Sequence, residues 1–263
     1  MNGHALLEAR DLTVRFGGLV AVNAVSAAFA AGELVGIIGP NGAGKTTFFN
    51  ALSGVQVPTS GELFAQGRRL TGAAPHRYAA QGIARTFQTP RVFAELTVAA
   101  NIDFGLQFAG RGRKASWLLK DITSILNLIG LSAQAEMPAA AVTPSQQRLL
   151  EIGMALATRP KLLLLDEVAA GLTEAEVDTM AQLIRRLRDE LDLTVIWIEH
   201  AVTTLLRYVE RVIVLHQGEL IADGTPAEVV RNTQVIEAYL GDEIDAGHEA
   251  HLAHEAHREQ VAA

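Results

Sequence analysis

Residues 33–47 read ELVGIIGPNGAGKTT. The run from Glu33 to Ile38 is short, apolar and closed by a glycine, which suits a buried parallel strand. Gly39, Pro40, Asn41, Gly42, Ala43, Gly44, Lys45 and Thr46 then match the spacing G-x-x-x-x-G-K-[ST]. A helix is expected at about Lys45–Leu52. Glycines let backbone N–H groups approach phosphate oxygens without a Cβ in the way, and the helix N-terminus adds partial positive charge. Lys45 is placed to reach β- and γ-phosphates, and the Thr46 hydroxyl to ligate Mg²⁺. The ordinary alternative, an incidental Gly-rich turn, is disfavoured by the strand before it and the helix after it.

The same texture recurs along the chain. Residues 5–14 and 19–30 alternate like strands around the turn Phe16-Gly17-Gly18. Residues 61–66 and 81–85 read as edge strands around a loop, and Lys161–Leu165, Thr194–Ile198 and Arg211–Leu215 as buried strands. A helix is expected at about Glu174–Glu190. From about Leu96 to Thr158 the apolar spacing turns helical (Leu118, Leu119, Ile122, Ile125, Leu126, Ile129), which indicates an inserted helical subdomain. Strand and helix alternation predicts an α/β fold on a parallel sheet.

Composition narrows the function classes. The 263 residues contain no Cys, which excludes disulfide and thiol chemistry. The net charge of −7 is concentrated at residues 241–263, where six acids face one base, Arg258. No basic patch points to nucleic acid as a partner. No uncharged apolar run approaches the roughly 18 residues of a membrane span. The opening residues MNGHALLEARD lack the order of a secretory leader, so no export is expected.

Further candidates sit at strand ends. Leu162–Leu165 runs into Asp166-Glu167, a carboxylate pair at the sheet edge where nucleotides bind in open α/β folds. Asp166 suits a metal's water shell, and Glu167 suits the deprotonation of an attacking water. The alternative is a helix N-cap acid pair. Trp197-Ile-Glu199-His200 ends another strand, where His200 is either a γ-phosphate contact or a structural histidine. Gln88, in Arg85-Thr-Phe-Gln88-Thr-Pro-Arg91, follows a short strand and can reach the metal or the water; its alternative is a plain loop amide.

Taken in order, the 39–46 loop, Gln88, residues 142–148, Asp166-Glu167 and His200 resemble the ATPase subunit of an ATP-binding cassette (ABC) transporter over about residues 5–240. Arg15–Gly18, Arg85–Gln88, Gln146–Ile152, Ala169–Leu172 and Ile198–His200 are similar to one subfamily, the first of two paired ATPases in importers of branched-chain amino acids and of urea, amides or aromatic acids. The resemblance implies a P-loop NTPase fold with a mixed or parallel sheet core, an antiparallel β subdomain and a helical subdomain at about 96–158. It implies that Phe16 stacks on adenine, that Gly39–Thr47 bind the phosphates of ATP, and that Thr46 and Gln88 meet Mg²⁺, beside the Asp166 already placed near the metal's water shell by its strand-end position. Glu167 is then the catalytic base and His200 the switch. Two ATP molecules lie between head-to-tail subunits, and two membrane permeases, fed by a substrate-binding protein, dock near Thr89–Phe93 and Leu96–Ala100. Such a chain works at the cytoplasmic face of the membrane.

Three departures qualify the resemblance. The signature, usually L-S-G/Y-G-Q, reads Val142-Thr143-Pro144-Ser145-Gln146. Ser145 adds a Cβ where space near a γ-phosphate is tight, and Pro144 removes an N–H donor. Val168 stands where the family has Pro, and Thr173 where Asp or Asn is usual. Because a signature closes on the other subunit's ATP, the expectation is an asymmetric heterodimer with one strong and one weak site. Two rival readings are a regulatory subunit that occludes ATP without hydrolysing it, and a soluble ABC ATPase outside transport. His248, His251, His254 and His257 recur every third residue in the tail and drift by about 60° per step on a helix. They read as a solvated extension, with Zn²⁺ or Ni²⁺ chelation the alternative.

Overall fold

The computed structural model of the chain describes residues 5–107, 119, 121–199 and 202–239. In chain order the strands are β1 (Leu7–Phe16), β2 (Leu19–Phe29), β3 (Leu34–Ile38), β4 (Ser60–Ala65), β5 (Arg68–Arg69), β6 (Ile83–Arg85), β7 (Leu162–Asp166), β8 (Thr194–Ile198), β9 (Arg211–His216) and β10 (Glu219–Gly224). The helices are α1 (Lys45–Leu52), α2 (Pro75–Ala80), α3 (Val98–Gln107), α4 (Ile122–Ile129), α5 (Pro144–Ala157), α6 (Glu174–Leu191), α7 (Val202–Tyr208) and α8 (Pro226–Val229).

Two sheets organise them. β2-β1-β4-β5 is antiparallel, and β10-β9-β3-β8-β7-β6 is parallel except for its β9–β10 hairpin. The mixed-sheet α/β architecture expected from the sequence is therefore present. The larger sheet is covered on both sides, and its strands alternate strictly between two cores. Leu163, Leu165, Val195, Trp197, Val212 and Val214 face α3–α6. Leu162, Leu164, Ile196, Ile198, Ile213 and Leu215 face α1 and the antiparallel sheet. Burial on both faces is why these strands read as continuous apolar runs rather than alternating ones. In α6, Val177, Met180, Ala181, Ile184 and Leu187 are buried at helical spacing, and a Thr173–Glu176 capping box starts the helix.

The structure corrects several sequence expectations. Of the two stretches expected as edge strands around a loop, residues 81–85 do contain an edge strand, β6 of the parallel sheet, but β4 lies inside the antiparallel sheet, shielded by β5, and β5 and α2 occupy the segment between them. β10 and α2 were not anticipated. β10 has no fully buried residue, and α2 buries only Tyr78, so neither carries a hydrophobic period.

Leu164 is fully buried at the centre of the second core. Leu164→Ala is expected to cost about 2–5 kcal/mol of unfolding free energy, read by urea denaturation. A loss within the scatter of surface substitutions would contradict the two-faced packing.

Candidate functional site

The parallel strands deliver their C-terminal ends to one edge, and the expected site residues gather there. β3 feeds the loop at 39–44, β6 feeds Gln88 and β7 ends at Asp166-Glu167. The loop is fixed by backbone approaches that admit no side chain. A Cβ at Gly39 would lie 2.1 Å from the Leu215 carbonyl oxygen, and one at Gly44 would lie 2.2 Å from that of Ala21. Both residues also have positive φ, 153° and 93°. These glycines are thus required by the protein's own packing, before any ligand is considered. At Gly42, also at positive φ, a Cβ would meet nothing within 4 Å.

An open cleft of about 650 Å³ spans the region. Its floor is Asn41, Gly42, Ala43, Gly44, Lys45, Thr46 and Thr47, with Gln88 and Glu167 on one wall. Phe16, half exposed, projects from the β1–β2 turn beside Leu19 on the other. Lys45 is almost fully buried, and its Nζ donates to the carbonyls of Gly39 (2.6 Å) and Pro40 (2.9 Å). Gln88 Nε2 donates to Glu167 Oε2 at 2.7 Å. Glu167 itself has φ of 48°, a left-handed conformation costing roughly 1–2 kcal/mol for a residue with a Cβ. Its N–H donates to the Ile198 carbonyl.

Asp166 is buried behind this wall. Its Oδ2 accepts from Arg85 Nη2 at 3.1 Å, and its N–H donates to the Thr86 hydroxyl. No three His, Cys, Asp or Glu side chains cluster as a metal site among the described residues. Thr46 and Gln88 nevertheless bring hydroxyl and amide oxygens to one cleft, with the Asp166 carboxylate behind its wall, a hard donor set of the kind Mg²⁺ prefers.

Thr143, Ser145 and Gln146 are not brought to the cleft. They line a second depression with Pro144, Gly171 and Glu176. Thr143 is the N-cap of α5 and Gln146 completes its capping box, so the altered motif is a well-formed helix start with Pro144 in the first turn. The Pro144 N–H missing here is one of the helix's unpaired ones in any case. Ser145 bonds the carboxylate of Glu176, which is held below its ordinary pKa first by the Thr173 N–H and then by the hydroxyls of Thr173 and Ser145.

Residues 22–170 match the ABC transporter family, and residues 219–245 match the branched-chain amino acid ATP-binding cassette transporter family. The chain belongs to the ABC transporter family. It is 38% identical to the high-affinity branched-chain amino acid transport ATP-binding protein BraF of Pseudomonas aeruginosa, covering 90% of this chain and 98% of that one. Against LivG, a protein so described in Escherichia coli strain K12, identity is 39% over the same shares. Among solved structures, the ADP conformation of an ATP-binding cassette of an ABC transporter superposes with a TM-score of 0.79 at 29% identity, covering 90% of this chain and 99% of that one.

In this ABC cassette, His200 and the tail histidines His248, His251, His254 and His257 lie outside the described residues. Three residues that stand in the motifs quoted for the resemblance, but to which the sequence assigns no role, support the site. Arg85 joins Asp166 to Asn50 of α1 and to Ser53, the residue that caps its end. Glu199 accepts the Ala169 N–H at 2.7 Å and the Trp197 indole N–H at 3.1 Å, bracing the turn after Glu167. Glu151 accepts backbone N–H groups of Phe87 and Arg91. Apart from the local Trp197–Glu199 contact, each bond spans a loop or a distant element, so no local spacing announces it.

Burial pushes the Glu151 carboxyl up to about 7, against the pull of those N–H groups and of Arg85 and Arg148. The folded state therefore holds this proton more tightly than the unfolded chain. The associated stability is complete below the ordinary value of 4.5 and is lost as pH rises toward about 7. The unfolding free energy of the wild type, relative to Glu151→Gln, should fall as pH rises from 4.5 to about 7 in urea titrations. A pH-independent difference between the two would contradict the raised value.

Proposed function

We propose that this chain is the ATP-hydrolysing subunit that energises an ABC importer of branched-chain or related amino acids. The observation that carries the hydrolytic part is the 2.7 Å bond from Gln88 to Glu167, on the wall of a cleft floored by Gly42–Thr47. The amino-acid part is supported by BraF and LivG and by the match at residues 219–245. Residues 1–240 are assigned to the ATPase domain, with a helical subdomain at about 96–158, and residues 241–263 to an acidic His-rich tail.

Phe16 offers adenine an apolar face, and Gly39, Pro40, Asn41, Gly42, Ala43, Gly44 and Thr47 cradle the phosphates with backbone and hydroxyl groups. Lys45 supplies positive charge to the β- and γ-phosphates. Mg²⁺, held by Thr46 and Gln88 and through its water shell by Asp166, would neutralise charge building on the phosphate oxygens. Glu167 takes the proton of the attacking water, and Gln88 orients that carboxylate. Water adds at the γ-phosphorus, the bond to the β-phosphate oxygen breaks, and ADP and phosphate leave. His200 contacts the γ-phosphate and reports its loss.

Thr143, Ser145 and Gln146 face the nucleotide of a second ATPase subunit. The Glu176 carboxylate beside Ser145 adds negative charge where a γ-phosphate would approach. This favours an asymmetric heterodimer, whose weak site is the one using this chain's signature. The pair sits at the cytoplasmic face of the membrane on two permease subunits, which receive the amino acid from a binding protein.

Glu167→Gln in the complex isolated from host membranes is expected to lower ATP turnover about 100-fold or more while ATP binding persists. Near-wild-type turnover would overturn the assignment. The same isolation is expected to recover a second ATPase with two permeases; recovery of ribosomal or DNA-repair factors instead would overturn the transport role.

A further inference from the structure

Helix α5 holds the loop on either side of Gln88 and the backbone of Glu167. Glu151, two turns into the helix and 5% exposed, accepts the Arg91 N–H on Oε1 at 2.9 Å. Both of its oxygens lie 3.3 Å from the Phe87 nitrogen and share that N–H. These two amides bracket Gln88. One turn closer to the helix start, Arg148 Nη1 donates to the Glu167 carbonyl oxygen at 2.6 Å. Residues 148 and 151 are three apart and so lie on one face of the helix. Its first turn carries Thr143, Ser145 and Gln146.

A buried carboxylate is costly, and its neighbours Leu150 and Ile152 show that the helix accepts apolar residues there. What Glu151 supplies instead is an acceptor for the backbone of an irregular loop, whose N–H groups have no ladder to join. The next stretch of the same loop is held likewise. Asn101, fully buried on α3, accepts the Phe93 N–H at 2.8 Å and donates to the carbonyls of Phe93 and Thr97 at 3.0 and 2.9 Å.

We propose that Glu151 is a positioning residue for ATP hydrolysis, setting the Gln88 loop at the distance where Gln88 meets Glu167, and that with Arg148 it makes α5 a strut between the Thr143–Gln146 turn and this chain's own Gln88 and Glu167. The inference rests on the roles given to Gln88 and Glu167 above. A shift of the helix start, as when a second subunit's nucleotide seats against it, moves both anchors together. Displacement of reacting groups by about 1 Å costs up to about 100-fold in rate, so the strut converts a small movement at one nucleotide into a large change of turnover at the other.

The test uses the full chain in its membrane-isolated complex. Glu151→Leu keeps the volume and removes the acceptors; Glu151→Gln keeps the oxygen facing Arg91 but sets an amide nitrogen toward the Phe87 N–H. The Leu variant is expected to lose about 10- to 100-fold in kcat with KM for ATP unchanged, and the Gln variant less than about 10-fold. Trypsin should cut after Arg91 faster in the Leu variant than in the wild type. Wild-type kcat in the Leu variant, or a loss shared equally by KM and by nucleotide binding, would overturn the proposal. Should the Leu variant fail to fold, Glu151→Gln decides alone: a reduced kcat at unchanged KM supports the role, and wild-type kcat overturns it. Glu167→Gln is assayed alongside. If it turns over normally, the underlying assignment fails; if it is inactive while Glu151→Leu keeps the wild-type kcat, only the positioning role falls.

Discussion

The Arg85 guanidinium is the point on which the edge of the parallel sheet is assembled. It leaves the end of β6, pairs with Asp166 at the end of β7, and donates to Asn50 and Ser53 at the far end of α1. Its plane also lies over the rings of Phe49 and Phe87, 5.3 and 4.5 Å from their centroids. The helix that follows the phosphate-type loop, the strand that presents the carboxylates and the residue before Gln88 are thus held by one side chain. Burial pulls its pKa down while Asp166 and Glu151 push it back up. A buried pair of this kind is worth less than its Coulomb energy implies, but losing one partner strands the other charge. The arrangement fixes geometry more than it adds stability.

Much of the fold was legible because its strands are buried on both faces. LLLLD, TVIWI and RVIVL admit few other readings once they are interleaved with helices. The Gly39–Thr46 spacing and the Asp166-Glu167 pair are local features, and the structure brings them to one edge. Polar residues inside helices are the opposite case. Glu151 and Arg148 sit in an ordinary amphipathic sequence, where a charged residue usually marks a solvated face. Only the fold turns that face inward, against residues about sixty positions earlier or twenty later. The left-handed backbone at Glu167 was equally hidden, since glutamate gives no hint of it.

The signature motif shows a subtler limit. Compared with its family, Thr143-Pro144-Ser145-Gln146 reads as damage to a phosphate-binding turn. Within the chain it reads as a good helix N-terminus, with cap, proline and reciprocal glutamine in their preferred places. Both descriptions hold, because folding and function ask different things of the same four residues. Helix initiation needs a hydroxyl cap and tolerates proline, whereas close approach of an anion needs open backbone amides. A chain of this kind can lose affinity at that turn while keeping its fold intact.

The loop from Gly39 to Gly44 is wedged between the two sheets. Gly218, in the β9–β10 turn, donates to the Ala43 carbonyl and accepts from the Asn23 N–H of β2, while Gly44 sits against the Ala21 carbonyl. Phe16 and Leu19 belong to one sheet, Lys45 and Glu167 to elements of the other, and all four line the same cleft. A molecule filling that cleft therefore welds the sheets across their seam. Its departure removes that bridge and leaves the shared apolar core and the glycine contacts to join the sheets, so occupancy bears on how firmly the two sheets are held as well as on the chemistry at their edge.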